Sequence, residues 1–305
     1  MKVLITGSKG FIGEYLTREL EKECELVLQA RSRRENELKN FYEIDIDSKS
    51  NWRECLHGVD VIVHLASVAH NKSNDIEYIK EVNVNGTLNL AKQAVESGVK
   101  RFVFVSSIGV NGNSTSESVF LATSKANPHN CYAQSKHDAE IGLKNIGKDT
   151  GLEIVIVRPT LVYGPNAPGN FRLLTNLVKL APFLPFGLAR NMRDFIYVKN
   201  LTSLLVECAK HPNAPGSTFL ASDGKAVSIK TFTNLMAKGL NKRIIQIPVP
   251  TSLMLFCSRL LGKVSIGQQL LGNLQVDSTN AQDILGWVPP FTMKQAMASL
   301  SENKK

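Results

Sequence analysis

Five runs of this chain, KVLIT from Lys2, ELVLQ from Glu25, VDVIVHL from Val59, RFVFVSS from Arg101 and LEIVIVRP from Leu152, are apolar at nearly every position rather than at every second one. Successive side chains of a strand point to opposite faces, so a strand that is apolar on both sides needs cover above and below. Amphipathic stretches separate the runs, and strands alternating with helices in this way specify a parallel sheet sandwiched between helical layers. The expected fold class is α/β, a doubly wound parallel sheet of the Rossmann kind with a smaller C-terminal domain. After RPTLVYGP the pattern changes, because prolines between Pro165 and Pro250 break it into short pieces. The expected division is a first domain over residues 1–164 and a second over 165–305. The stretch near 194–222, which includes the strand-like DFIYV at 194–198, is expected to return to the first domain.

The segment TGSKGFIG leaves the first strand and opens the first helix, with Gly7, Gly10 and Gly13 three residues apart. Glycine there permits positive φ and close backbone approach, while the free N–H groups at a helix start favour a pyrophosphate. This marks a dinucleotide site, with Phe11 and Ile12 in the same turn. A protein that binds NAD usually carries an acid at the end of the second strand, where it holds the ribose hydroxyls. Here that place reads Gln29-Ala30-Arg31-Ser32-Arg33-Arg34, and guanidinium groups suit a 2′-phosphate. NADP is therefore expected in preference to NAD. Asp45 and Ile46, after the third strand, suit an adenine contact.

YAQSK, at 132–136, puts Tyr132 and Lys136 on one helical face. A free phenol ionises near 10, so Tyr132 needs a positive neighbour to move its proton near neutrality, and Lys136 is the candidate. The composition, 43% hydrophobic and 21% charged, is that of a soluble globular protein. The net charge of +9 suits nucleic acid, anionic lipid or a phosphorylated small ligand. The basic residues are scattered without interleaved aromatic runs, which argues against a nucleic-acid surface. Cys24, Cys55, Cys131, Cys208 and Cys257 are far apart and read as free thiols. The histidines, His64 and His70 included, lack ligand spacing, so no metal is expected. The start has no secretory pattern, which points to the cytosol. The stretch from Thr251, TSLMLFCSRLLGKVSIGQQLL, is interrupted by Arg259 and Lys263 and reads as a buried or amphipathic helix, with no transmembrane segment expected.

TGSKGFIG, DIDS, HLAS, VNVNGT, SSIGVNG, YAQSK, RPTLVYGP and NMRDFIYVKNL together resemble the extended, nucleotide-sugar-modifying branch of the short-chain dehydrogenase/reductase superfamily, in the order and approximate spacing of its motifs over nearly the whole chain. The resemblance implies that Lys136 also holds the nicotinamide ribose and that Ser107 orients the substrate oxygen beside Tyr132. It implies cofactor contacts at Leu65, Ala66 and Pro159 and support of the centre by Asn83. Asn170 and Arg193 are implied to contact the diphosphate of a UDP-sugar. In related epimerases a further arginine precedes the last strand-like segment. VSIGQQLLGNLQVDS has none, so Gln268 or Gln269 would substitute. A homodimer built from the helix at 76–97 and the helix carrying YAQSK is likewise implied.

Three reactions use this scaffold. Dehydration needs an added acid and base beside the serine, and here Ile108 and Gly109 follow Ser107, so it is disfavoured. Epimerisation and 4-keto reduction need the same Ser-Tyr-Lys core. The arginines after the second strand, with SSIGVNG, YAQSKHDAE, LPFG and LGWVPP, resemble bacterial UDP-4-keto-6-deoxy-N-acetylhexosamine 4-reductases of surface-polysaccharide synthesis. Reduction is the expected activity and 4-epimerisation the alternative. A non-catalytic NADP-binding regulator or RNA-binding protein is a distant third, since such relatives often lose the Tyr-Lys pair.

Overall fold

The computed structural model describes residues 1–32, 40–69, 75–116, 118–262 and 264–301. Its strands are β1 (Lys2–Thr6), β2 (Glu25–Ala30), β3 (Phe41–Glu43), β4 (Val61–His64), β5 (Arg101–Val105), β6 (Glu153–Pro159), β7 (Leu161–Tyr163), β8 (Phe183–Leu184), β9 (Phe195–Tyr197), β10 (Thr218–Ala221) and β11 (Ile245–Gln246). The helices are α1 (Phe11–Leu20), α2 (Ile76–Lys80), α3 (Thr87–Glu96), α4 (Cys131–Thr150), α5 (Gly169–Leu180), α6 (Val198–Lys210), α7 (Ile229–Gly239), α8 (Thr251–Leu260), α9 (Val264–Leu271), α10 (Thr279–Leu285) and α11 (Met293–Ala298).

A seven-stranded parallel sheet forms in the order β10-β6-β5-β4-β1-β2-β3. The chain winds outward from β1 in both directions, and the reversal lies between β1 and β4, where ligands bind beyond the carboxyl ends of such strands. The all-apolar runs are explained by two cores, one on each face. Val3 and Ile5 of β1 join α1, α6 and Trp287 on one side. Leu4 joins Phe102, Phe104, Leu90 of α3 and Leu143 of α4 on the other.

The segment 194–222 divides its contacts. Phe195–Tyr197 pairs with β7 instead of entering the main sheet, whereas α6 packs beneath that sheet and β10 forms its edge beside β6. Aromatic rings fill a third core, with Phe195 stacked on Phe232 of α7 at 4.0 Å and Tyr163 edge-on to Phe232. The stretch from Thr251 departs from a buried helix. It divides into α8 and α9, and no residue of α8 is buried. Among the described residues no helix is long and apolar enough to cross a membrane.

Candidate active site

The turn after β1 is shaped by what its glycines exclude. Gly7 has φ 67°, and a Cβ on it would come within 3.0 Å of the Ala66 backbone. A Cβ on Gly13 would stand 2.3 Å from the Gly7 carbonyl oxygen. The β1 turn, the first turn of α1 and the end of β4 therefore approach one another backbone to backbone. Gln29, 1% exposed, fixes this arrangement from β2. Its Oε1 accepts from the Gly7 amide at 3.0 Å, and its Nε2 donates to the Ile44 carbonyl beyond β3.

These turns surround a cavity of about 600 Å³, within the range of small-molecule and cofactor sites. Gly7, Gly10, Arg31, Asp45, Ile46, Leu65 and Ala66 all line it. Phe11 lies in the first turn of α1 and borders a neighbouring cavity with Tyr15 and Tyr197. Ile12 packs against the sheet, and Pro159 ends β6 opposite Ala221. Arg31 is exposed on the rim, while Arg33 and Arg34, like His70, lie outside the described residues. The glycine cradle and the free space beside it fit a dinucleotide.

The helix carrying YAQSK starts on Asn130, whose side chain accepts from the Ala133 amide at 2.8 Å, and stops at Gly151 in the left-handed region at φ 80°. Ser67, on the wall of the cavity, stands beside the Tyr132 phenol, while Tyr132, Ser107 and Lys136 themselves do not line it. Ser107, two residues past β5, caps the short turn Ile108–Val110, accepting from the Gly109 amide at 3.1 Å. A Cβ on Gly109 would meet that of Ala133 at 3.2 Å, so the serine loop abuts α4 one residue past Tyr132. Lys136 is 1% exposed, with its ammonium over the Phe104 ring at 4.3 Å.

The electrostatics depart from the expected lowering of the phenol by lysine. Burial pushes Tyr132 above its ordinary value, and the Ser67 hydrogen bond opposes this. Burial pushes Lys136 down to about 7, with the Glu140 carboxylate resisting. Desolvation is thus the leading cause for each group, although by surface area Tyr132 is only half-buried and Lys136 is fully so.

Asn83 lies on a π turn, Glu81–Gly86, between α2 and α3. It is 1% exposed and does not face the cavity. Its amide accepts from Val68 N at 2.8 Å and donates to Val68 O and Ser135 Oγ, clamping the loop after β4 to α4. His64 serves a similar purpose, bridging Thr6 and Thr87. It is held neutral, its pKa lowered to about 3 by burial and by Lys136.

Behind Lys136 lies a charged network. Glu140, one turn further along α4, pairs with Arg158 of β6 at 2.5 Å, with both side chains almost fully buried. Ser106 donates to the same carboxylate, and Arg158 also donates to Asn111 at 2.9 Å.

A second cavity, about 200 Å³ and mostly apolar, lies between α5, α7 and α9, and Asn170 and Arg193 line it together with Gln269. Asn170 donates to Gln269. Arg193 is lowered to about 10 by burial and stays charged at neutral pH. The motifs did not single out Ser67, Gln29, Glu140 or Arg158. Ser67 is the last letter of HLAS and Arg158 the first of RPTLVYGP, so adjacency was the available signal.

The profile of the NAD dependent epimerase/dehydratase family matches residues 3–221. A UDP-glucose 4-epimerase of Vibrio cholerae is 37% identical, covering 98% of this chain and 94% of the relative. An Escherichia coli O157:H7 protein, N-acetyl-alpha-D-glucosaminyl-diphospho-ditrans,octacis-undecaprenol 4-epimerase, is 25% identical over 97% of this chain and 92% of its own. The crystal structure of UDP-glucose 4-epimerase from Thermotoga maritima with UDP-glucose superposes with a TM-score of 0.78 at 21% identity, covering 99% of this chain and 98% of that one. The fold is therefore the Rossmann type of these enzymes.

Proposed function

Because the chain belongs to the NAD dependent epimerase/dehydratase family, we propose that it inverts carbon 4 of a UDP-hexose, working as a UDP-glucose or UDP-N-acetylglucosamine 4-epimerase. The observation that carries this reading is the glycine-framed cavity, with Ser67 on its wall beside the Tyr132 phenol and Lys136 one turn further along α4. The 37% identity to a 4-epimerase over nearly the full length supports epimerisation over the net reduction expected from sequence.

A dinucleotide would be held by the Gly7–Gly13 turn, with Asp45 and Ile46 at its adenine end, and its nicotinamide would supply a reversible hydride acceptor. Tyr132 takes and returns the proton of the C4 hydroxyl, Ser107 steadies that oxygen, and Lys136 offsets the charge on the phenolate. Asn170 and Arg193 bind the diphosphate, with Gln269 in support, and α2, α3 and α4 supply a homodimer surface. Incubating the purified protein with NAD and either UDP-glucose or UDP-N-acetylglucosamine, and following the C4 epimer by NMR, tests this. Failure to convert either sugar, with the cofactor bound, overturns it.

Arg31 favours a second reading. A guanidinium at the end of β2, where no acid stands, suits the 2′-phosphate of NADP, and a net 4-keto reductase draws on NADPH. Stoichiometric consumption of NADPH by a UDP-4-keto-6-deoxy-N-acetylhexosamine, without epimerase activity, would establish that reaction instead.

A further inference from the structure

Most surface helices bury one apolar stripe and turn a polar face to water. Helix α5 buries Phe171, Leu174 and Val178, yet it carries a second apolar stripe outside. Leu173, Leu177 and Leu180 fall at i, i+4 and i+7 and are 60%, 42% and 85% exposed. Helix α8, no residue of which is fully buried, adds an exposed stripe of Leu253, Phe256 and Leu260, at 51%, 56% and 72%. Phe183 and Ile245 stand opposite each other across the β8–β11 pair, both more than half exposed. Leu173 and Leu177 also share the lining of the second cavity with Ile266 of α9, which links the stripe on α5 to the α8–α9 hairpin. Exposed apolar rows of this kind call for an occupant.

Charge narrows the choice. The basic residues are scattered in sequence, but their balance is not. Residues 165–193 and 224–276 contain no Asp or Glu, and their Lys and Arg more than account for the chain's net charge of +9. Arg172 and Lys179, seven residues apart, flank the outer stripe of α5 on one side. Arg259 borders the stripe of α8, and Lys242 and Arg243 lead into Ile245. All five are exposed. A second copy of the same face would bring like charges together, and a nucleic acid has no use for rows of leucine. An anionic bilayer offers phosphate headgroups to the cations and hydrocarbon to the leucines and phenylalanines.

We propose that the face formed by α5, the β8–β11 pair and α8 docks this enzyme peripherally on an anionic membrane surface, with the second cavity at its edge. This goes beyond the epimerase reading and does not depend on it. The test is co-sedimentation of the full chain with vesicles of phosphatidylcholine, with and without phosphatidylglycerol. The protein should sediment with the anionic vesicles and stay in solution with phosphatidylcholine alone. Binding should fall severalfold when salt is raised from about 0.1 M to about 0.5 M, because the Debye length shortens. The triple variant Leu180→Ser, Phe256→Ser, Leu260→Ser should lose binding roughly tenfold, and Arg172→Glu with Lys179→Glu should lose it as well. Thermal midpoint and cofactor affinity, measured on each variant, should match the parent and so report an intact fold. Absence of binding to anionic vesicles by the folded parent overturns the proposal, as does undiminished binding by the triple variant. Self-association without lipid that the same substitutions abolish would assign the face to a second copy and overturn it too.

Discussion

The two cavities sit in different kinds of frame. The first is rimmed by turns that leave consecutive strands of one buried sheet, and polar groups set its walls atom by atom, Gln29 on Gly7 and Asn83 on Val68. The second is assembled from α5, β9, α7 and α9, far apart in sequence, and is lined mainly by Leu, Ile and Phe. Directional hydrogen bonds in a buried site tolerate little change, whereas apolar contact spreads affinity over many atoms. Single substitutions should therefore act sharply around the first cavity and mildly around the second.

The sharpest case is Tyr132→Phe, which should slow turnover by about 10²–10⁴-fold while cofactor affinity and thermal midpoint hold. Steady-state kinetics with a cofactor titration check it. Next comes Arg158→Met, which leaves the Glu140 carboxylate buried without its ion pair and should cost about 3–5 kcal/mol in denaturant unfolding. Adding Glu140→Leu should restore much of that loss, because the stranded charge is removed with its partner.

A pH effect of intermediate size follows from His64. Its pKa is lowered in the fold to about 3, so below its ordinary value the unfolded chain binds a proton that the native state refuses. Stability should fall by about 2 kcal/mol between pH 7 and pH 5 on this account alone, and His64→Gln should flatten that part of the curve. Lys136 works at the other end. Its folded pKa of about 7 means that the cost of burying its charge is full below 7 and is relieved as pH rises toward its unfolded value.

Smaller still, Arg31→Ala should weaken NADP binding about tenfold, equivalent to ~1.4 kcal/mol, and leave NAD unchanged. Equal loss for both cofactors would remove Arg31 from any role at the 2′-position. Smallest, Gln269→Ala in the second cavity should raise KM by about 2–10-fold with kcat intact. A large loss of kcat there would break the contrast between the two frames.

What the sequence disclosed follows the same division. The apolar runs and the glycine spacing act through neighbours along the chain, so the parallel sheet and the phosphate turn were legible. So was the nearness of Tyr132 and Lys136, since one helix carries both. Ser67 to Tyr132 and Glu140 to Arg158 are partnerships across the fold, and no local pattern announces them. Asn83 stood out by motif, but its part in bracing the wall depends on a π turn that periodicity does not reveal. The preference for reduction rested on the arginines beside β2 and on motifs such as SSIGVNG and LGWVPP that resemble 4-reductases. Direction of flux depends on whether spent cofactor leaves, which charge near one ribose does not determine. The stretch from Thr251 was read for apolarity, and only its packing shows α8 standing outside the core.

The widened helical segment Glu81–Gly86 carries a consequence of its own. Such a turn holds one residue more than an ordinary α turn, which offsets the helices on either side by about 100° around their axis. Removing any one residue there would restore a regular helix and swing the Asn83 carboxamide away from Val68. The integrity of the pocket wall is thus keyed to the number of residues in that segment, so a one-codon deletion would do more harm than most replacements of its side chains.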